Sequence, residues 1–373
     1  MDNLLSEDWT VLRHWLPEDL AELAKRGGFT QRARGVQDVE VWLRLMLLHV
    51  GGGLSLEQTV MRAGELGLAQ VSAVALHKRM LRAGAWLQEL TAAMLARRVV
   101  PAKASRDWRA NVVVVDATTV QEPGSTGTDW RVHYRVRLSD LRCEDYELTD
   151  AHEGEGLGRH SFQAEQIVIA DRGYCHRAGA GHVLSSGAQL VLRLHPRLFP
   201  LERSDGEPFA LCPWTRSLRG HRPAECDVWF RQGKKRCRLR LCAIRKSRTA
   251  TLRAQKKQRT KASRMGYAIE PASTELAGFV LILTSLPRAD WPTGRVLQLY
   301  RQRWQVELVF KRLKSLLGIG HLPKTNDQSA RAWMQAKILT ALLIERAMHE
   351  ARFFSPWGFA LTSEPLGSVP RGA

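Results

Sequence analysis

No run in this 373-residue chain approaches the ~18 consecutive apolar residues that a membrane span requires. The opening stretch, MDNLLSEDWT, carries acids where a secretory leader carries bases ahead of an apolar core. A cytoplasmic location with no membrane partner is therefore expected. Cysteine is sparse, and the six present include no C-x-x-C pair. Cys226, Cys237 and Cys242 lie close in sequence, but their spacing favours reduced, incidental thiols over a zinc site. There is no internal repeat, which excludes solenoids and propellers. Acidic residues are the telling shortage. Only 37 Asp and Glu face 56 Lys and Arg, giving a formal charge of +19 and a pI near 10.3. So basic a chain calls for a polyanionic partner, nucleic acid before an anionic membrane surface.

What is present divides by texture. With 44% hydrophobic residues and 12 tryptophans, the chain can bury a sizeable core. Residues 1–103 read as helical. Within them Ser55 stands in capping-box relation to Gln58, and Ser72 precedes AVALHKRML. Two capped helices joined by a glycine-containing turn, the second carrying His77, Lys78, Arg79 and Arg82, have the form of a helix-turn-helix reader of DNA. An ordinary bundle with solvated bases fits the same pattern.

From 104 to 194 the pattern changes to strands. NVVVVDATTV is a buried run ending at Asp116, and QIVIADRGY repeats the design at Asp171. DWRVHYRVRLSD and DYELTDAH alternate as neighbouring strands do, and a helix and another strand follow. A mixed α/β sheet is the expected fold class. Residues 195–277 then turn strongly basic. Between Arg193 and Arg264 there are 21 Lys and Arg against 5 Asp and Glu, and DVWFRQGKKRCRLRLCAI reads as a hairpin turning at its glycine. This is an insertion, because the buried-strand pattern resumes at AGFVLILTSLP within 278–352. Residues 353–373, rich in Pro, Gly and Ser, read as a flexible tail.

Two aspartates at the ends of buried strands can converge at the carboxyl edge of a sheet. Paired carboxylates repel unless a proton or cation lies between them, and hard divalent cations prefer such oxygen donors. A two-metal site needs a further acid, and LYRQRWQVELVFKRLKSLLG, residues 299–318, offers one. Read as one helix, it places Tyr300, Glu307 and Lys314 seven residues apart on nearly one face, with Arg303 four residues before Glu307. Leu308, Phe310, Leu313, Leu316 and Leu317 are left to pack. Each signal has a plainer reading: an Asp after a strand commonly caps a turn, and Arg303 with Glu307 makes an ordinary surface pair. Asp129, Asp140, Asp145, Asp150, Glu153 and Glu155 are alternative sources of a carboxylate.

YRQRWQVELVFKRLK fits Tyr, two residues, Arg, three residues, Glu, six residues, Lys. In this it resembles the YREK signature of the insertion-sequence-4 family of bacterial DDE transposases. VVVVDATTVQEPGSTGTDWRVHYRVRLSDL and IVIADRGYCHRAG are similar to that family's first and second aspartate regions. The resemblance implies a ribonuclease H-like core, interrupted by a basic β-rich insertion and preceded by a helical DNA-binding domain. By position it implies Asp116, Asp171 and Glu307 as the catalytic, metal-binding triad for Mg²⁺ or Mn²⁺. It implies Tyr300, Arg303 and Lys314 on the phosphates of the element's end, Trp304 near the cleaved terminus, and Phe279 stacked on a flipped base. The implied partners are double-stranded DNA, both the inverted-repeat ends and the target, and a second protomer in a synaptic dimer. The implied setting is the bacterial nucleoid. A metal-dependent nuclease without strand transfer and an inactive DNA-binding regulator remain as alternatives.

Overall fold

The computed structural model describes residues 2–30, 38–97, 111–323 and 326–351. They fall into two units, one drawn from Met1–Arg98, Val120–Gly127 and Arg312–Ala373, the other from Val99–Thr119 and Thr128–Lys311.

The first unit opens with six helices: α1 (Asp2–Trp15), α2 (Leu20–Arg26), α3 (Val39–Gly51), α4 (Leu56–Glu65), α5 (Ala73–Leu81) and α6 (Gly84–Ala96). Their starts follow local chemistry. Asp38 accepts from the Glu40 N–H at the head of α3, Ser55 and Gln58 close a full capping box on α4, and Ser72 accepts from the Ala75 N–H on α5. Phe29 stacks on Trp86 at 4.3 Å between ring centres. The chain after α2 passes so near α6 that a Cβ at Gly27 would stand 2.5 Å from the Trp86 Cα, so only glycine fits there.

The second unit is built on one eight-stranded sheet. Its elements are β1 (Val112–Val120), β2 (Trp130–Arg137), β3 (Cys143–Asp150), β4 (Ile167–Ala170), α7 (Arg177–Ser185), β5 (Gln189–Arg193), α8 (Leu211–Ser217), β6 (Ala224–Gln232), β7 (Lys235–Arg245), α9 (Arg248–Met265), α10 (Pro271–Leu276), β8 (Phe279–Thr284), α11 (Thr293–Arg301) and α12 (Gln305–Lys311). The strand order is β3-β2-β1-β4-β5-β8-β7-β6. β1, β4 and β5 run parallel, with α7 as the crossover between the last two, while β2 and β3 pair antiparallel. This is the expected mixed sheet, and β3-β2-β1-β4-β5 is its ribonuclease H-like part. Val112–Val115, Ile167–Ala170 and Leu190–Leu192 are fully buried, as strands covered on both faces must be.

The insertion's hairpin joins the central sheet: β7 pairs antiparallel with β8, which pairs with β5. The second basic run is helical, so the insertion expected to be β-rich also carries an 18-residue helix, α9. Ser247 caps α9 by accepting from the Ala250 N–H, and Gly266 ends the helix at φ 68°, a left-handed conformation suited to glycine.

The last helix, α13 (Asp327–Ala351), was read from the sequence as part of the sheet-bearing core, yet it packs against α3, α5 and α6 of the helical unit. Its buried Trp333, Met334, Ile338, Leu339 and Leu342 supply the apolar face, and Lys337 Nζ donates to the Val50 carbonyl at 2.5 Å. The expected boundary at 103 and the tail 353–373 lie outside the described residues. No helix among the described residues is long and apolar enough to cross a membrane.

Candidate active site

Parallel pairing of β1 with β4 runs through Val112↔Ile167 to Val115↔Ala170. The next residue on each side is an aspartate, so Asp116 and Asp171 stand next to each other where the ladder ends. β1 does not stop at Asp116 as expected but continues to Val120. Asp171 does leave its strand and caps a short 3-10 turn, Arg172–Tyr174, by accepting from the Arg172 N–H. The capping role and the site role thus fall on the same side chain.

The segment 299–318 is not the single α-helix its spacing suggests. α11 ends at Arg301, a 3-10 turn covers Gln302–Trp304, α12 follows, and a π turn takes Arg312–Leu316. Tightening and then loosening the helix rotates successive side chains away from a 3.6-residue stripe. Leu308 and Leu316 consequently face solvent, at 37% and 79% exposed, while Phe310, Leu313 and Leu317 are buried as expected. Trp304 is 52% exposed, and Tyr300 is buried with the Arg193 guanidinium near its hydroxyl. Lys314 lies in the π turn, within the helical unit, exposed at that turn.

Arg303 is the centre of the arrangement. Its guanidinium bonds Asp116 Oδ2 at 2.9 Å and Glu307 Oε1 at 3.3 Å, and lies 3.9 Å from Asp171 Oδ2. The three acids singled out in the sequence therefore converge on one cation. Burial disfavours charge on Asp116 and, against the hydrogen bond from the Ala117 N–H and the attraction of Arg303, lifts its pKa to about 6; the charges of Asp171 and Glu155 add to the rise. Burial works against the Arg303 charge too, but Asp171, Tyr300, Asp116 and Glu307 outweigh it and hold the guanidinium protonated.

As a donor set, three carboxylates suit a hard divalent cation. Among the described residues no three His, Cys, Asp and Glu side chains close on a common point that would hold a metal. They close on the guanidinium instead, a positive group where positive charge is needed. The residues fit a divalent cation by chemistry, provided Arg303 turns aside.

Beside Asp171 opens a cleft of about 730 Å³ lined by Arg172, Arg193, Lys246, Lys257 and Lys261, with Tyr267 on its wall. Sequence reasoning marked this region only as basic; its concentration into one cleft depends on α9 folding back toward β5. Phe279 also lines the cleft, but it is 5% exposed and Arg245 sits over its ring at 4.7 Å. Tyr267 is 46% exposed. In the helical unit Lys78 is exposed on α5, whereas Arg79 is drawn inward: it donates to the Phe29 carbonyl at 3.1 Å and lies over the Phe29 and Trp42 rings.

Comparison with known proteins identifies the family. The model of the family described as "Transposase DDE domain" matches residues 107–344. The putative transposase InsL for insertion sequence element IS186A of Escherichia coli (strain K12) is 32% identical over 362 residues, covering 95% of this chain and 97% of that protein. The transposase for insertion sequence element IS421 of Escherichia coli is equally similar, over 363 residues and the same shares. The transposase for element IS231C of Bacillus thuringiensis subsp. berliner is 22% identical, covering 94% of this chain and 80% of that one. A piggyBac transposase synaptic complex with hairpin DNA matches at a TM-score of 0.46 and 10% identity, over 90% of this chain and 74% of that one, a likeness too slight to bear on fold or function. The family model spans well over half of the chain and the InsL protein matches along nearly its whole length, so this chain belongs to the DDE transposases of bacterial insertion sequences.

Proposed function

We propose that this transposase cleaves the ends of its own insertion sequence and joins the freed 3′-OH ends to target DNA by phosphoryl transfer dependent on Mg²⁺, with Mn²⁺ a working substitute. The convergence of Asp116, Asp171 and Glu307 on one guanidinium carries this reading. Those three carboxylates would hold the divalent cations, which when bound neutralise charge developing on the attacking and leaving oxygens. Arg303, released from the carboxylates, binds a phosphate of the element's end in bidentate fashion. Tyr300 and Lys314 hold further phosphates, and exposed Trp304 meets the cleaved terminus.

The cationic cleft carries the backbone of the same strand away from Asp171, with affinity that falls steeply as salt rises. On that path Phe279 offers at most one ring face, since Arg245 covers the other. Tyr267 is the better platform for a base. Lys78 on α5 faces the DNA, while Arg79 shapes the helix that presents it. A synaptic homodimer brings two ends together.

The test incubates the full chain with Mg²⁺, DNA carrying the sequence that flanks its gene, and a target plasmid. Cleaved ends joined through their 3′-OH groups are expected. Cut ends that never join the target would leave only a nuclease. Cleavage that survives both Asp116→Ala and Glu307→Ala overturns the assignment of the acids.

A further inference from the structure

Glu155 sits in the loop between β3 and β4, among acids that the sequence offers no means of ranking. Its neighbours are engaged elsewhere. Asp150 accepts from the His152 and Glu153 N–H groups, and the Glu153 carboxylate pairs with Arg159. Glu155 is different. Its carboxylate lies over the backbone of Gly173, so close that a Cβ there would stand 1.8 Å from Glu155 Oε2. A side chain at 173, two positions past Asp171, would push that carboxylate aside. The half-buried carboxylate has no hydrogen-bond or ion-pair partner among the described residues, and the nearest charges acting on it are Arg131, Asp171 and His176. It also acts on Asp116, so three acids from three segments repel one another across this corner of the sheet.

A second observation is independent of the acids. Tyr174 is 1% exposed, yet its hydroxyl has no hydrogen-bond partner among the described residues. The negative charges that bear on this phenol are Glu155 and Asp116. A buried hydroxyl that feels two carboxylates but is bonded to neither is short of a partner, and buried polar groups are rarely left unpaired. Hydrated cations supply water in that position.

We propose that Glu155 is a fourth acid of the divalent-cation site, with the Tyr174 hydroxyl hydrogen-bonding the cation's hydration shell beside it. The inference rests on the reading that Asp116 and Asp171 hold that cation. Glu155 is then a positioning residue: it orients the hydration shell and adds negative charge beside Asp116 and Asp171. Gly173 has the matching task of leaving Glu155 its place.

Binding of Mn²⁺ to the full chain, read from the electron paramagnetic resonance signal of the free ion, tests this without relying on turnover. Glu155→Gln, which removes the charge and keeps the volume, is expected to weaken Mn²⁺ affinity about 10-fold or more, the usual effect of losing an outer partner of a metal site. Gly173→Ala leaves every charge in place but displaces Glu155, and lowers affinity in the same direction. Tyr174→Phe lowers it less. Glu153→Gln, in the same loop, leaves it unchanged. Wild-type affinity in both Glu155→Gln and Gly173→Ala, with binding lost in Asp116→Asn, overturns the role of Glu155 alone. Wild-type affinity in Asp116→Asn removes instead the underlying reading of the triad.

Discussion

Asp116 is predicted to work against the stability of the fold that carries it. A carboxyl with an ordinary pKa near 3.8 is raised here to about 6, chiefly by burial and despite the nearby guanidinium. The side chain is only 18% exposed, so solvent screens the effect little. Such a group favours the folded state in its neutral form. Its stabilising contribution is complete below pH ~4 and lost as pH rises through about 6. A displacement of this size corresponds to at most about 3 kcal/mol. In EDTA, Asp116→Asn keeps the shape and an oxygen to accept from the Ala117 N–H, while removing the charge. Urea unfolding followed at the transition of the sheet unit, from pH 4 to pH 8, should show the variant gaining on the wild type as pH rises, by up to about 3 kcal/mol at pH 8. The same variant should lose Mg²⁺-dependent cleavage, a stability cost accepted for a functional charge. Parallel pH profiles, or a variant less stable than wild type at pH 8, refute the reasoning.

Other consequences are equally open to measurement. Burial and the charges of Arg159, His160 and Arg131 lower the pKa of His133 to about 3, and its Nε2 is hydrogen-bonded to Thr149 Oγ1 at 3.0 Å. Its ring resonances should therefore not titrate in NMR between pH 8 and 5, and its contribution to stability is lost as pH falls from ~6.5 toward 3. Arg240 donates to the Leu286 and Trp291 carbonyls at 2.7 and 3.0 Å and pairs with Glu225. Arg240→Met strands both carbonyls, while Glu225 keeps Arg288 and Thr293, and should cost about 1–3 kcal/mol in urea unfolding. Lys257→Ala with Lys261→Ala should make the plot of log affinity for duplex DNA against log salt shallower by about 0.9 for each phosphate the pair neutralises. An unchanged slope would take the cleft off the DNA path. Ser55→Ala breaks the capping box of α4 and should cost about 1 kcal/mol, read as a lower melting point of the helical unit.

Much of this was legible from local chemistry. The capping residues of α4 and α5, the buried runs before Asp116 and Asp171, and the hairpin turning at Gly233 depend on spacings within a few residues, and the structure shows them. The stripe on residues 299–318 was only partly readable. Periodicity assumes a uniform helix, and the 3-10 and π turns that redirect Leu308 and Leu316 are set by packing. Glu155 could not be told from Glu153, because what separates them is contact with Gly173, distant in sequence. Arg79 and Lys78 are adjacent and equally basic, and only the Phe29 and Trp42 rings decide which one turns inward.

By itself, then, the sequence determined a basic, DNA-directed α/β protein, its strand-borne aspartates and the spacing of Tyr300, Arg303, Glu307 and Lys314, since charge and short-range periodicity are properties of the chain. The tertiary structure decided that the insertion's hairpin joins the central sheet, that α13 belongs with the helices, and that Arg303 gathers three carboxylates. Each of these depends on surfaces meeting across long stretches of sequence, and no local pattern encodes which surfaces those are.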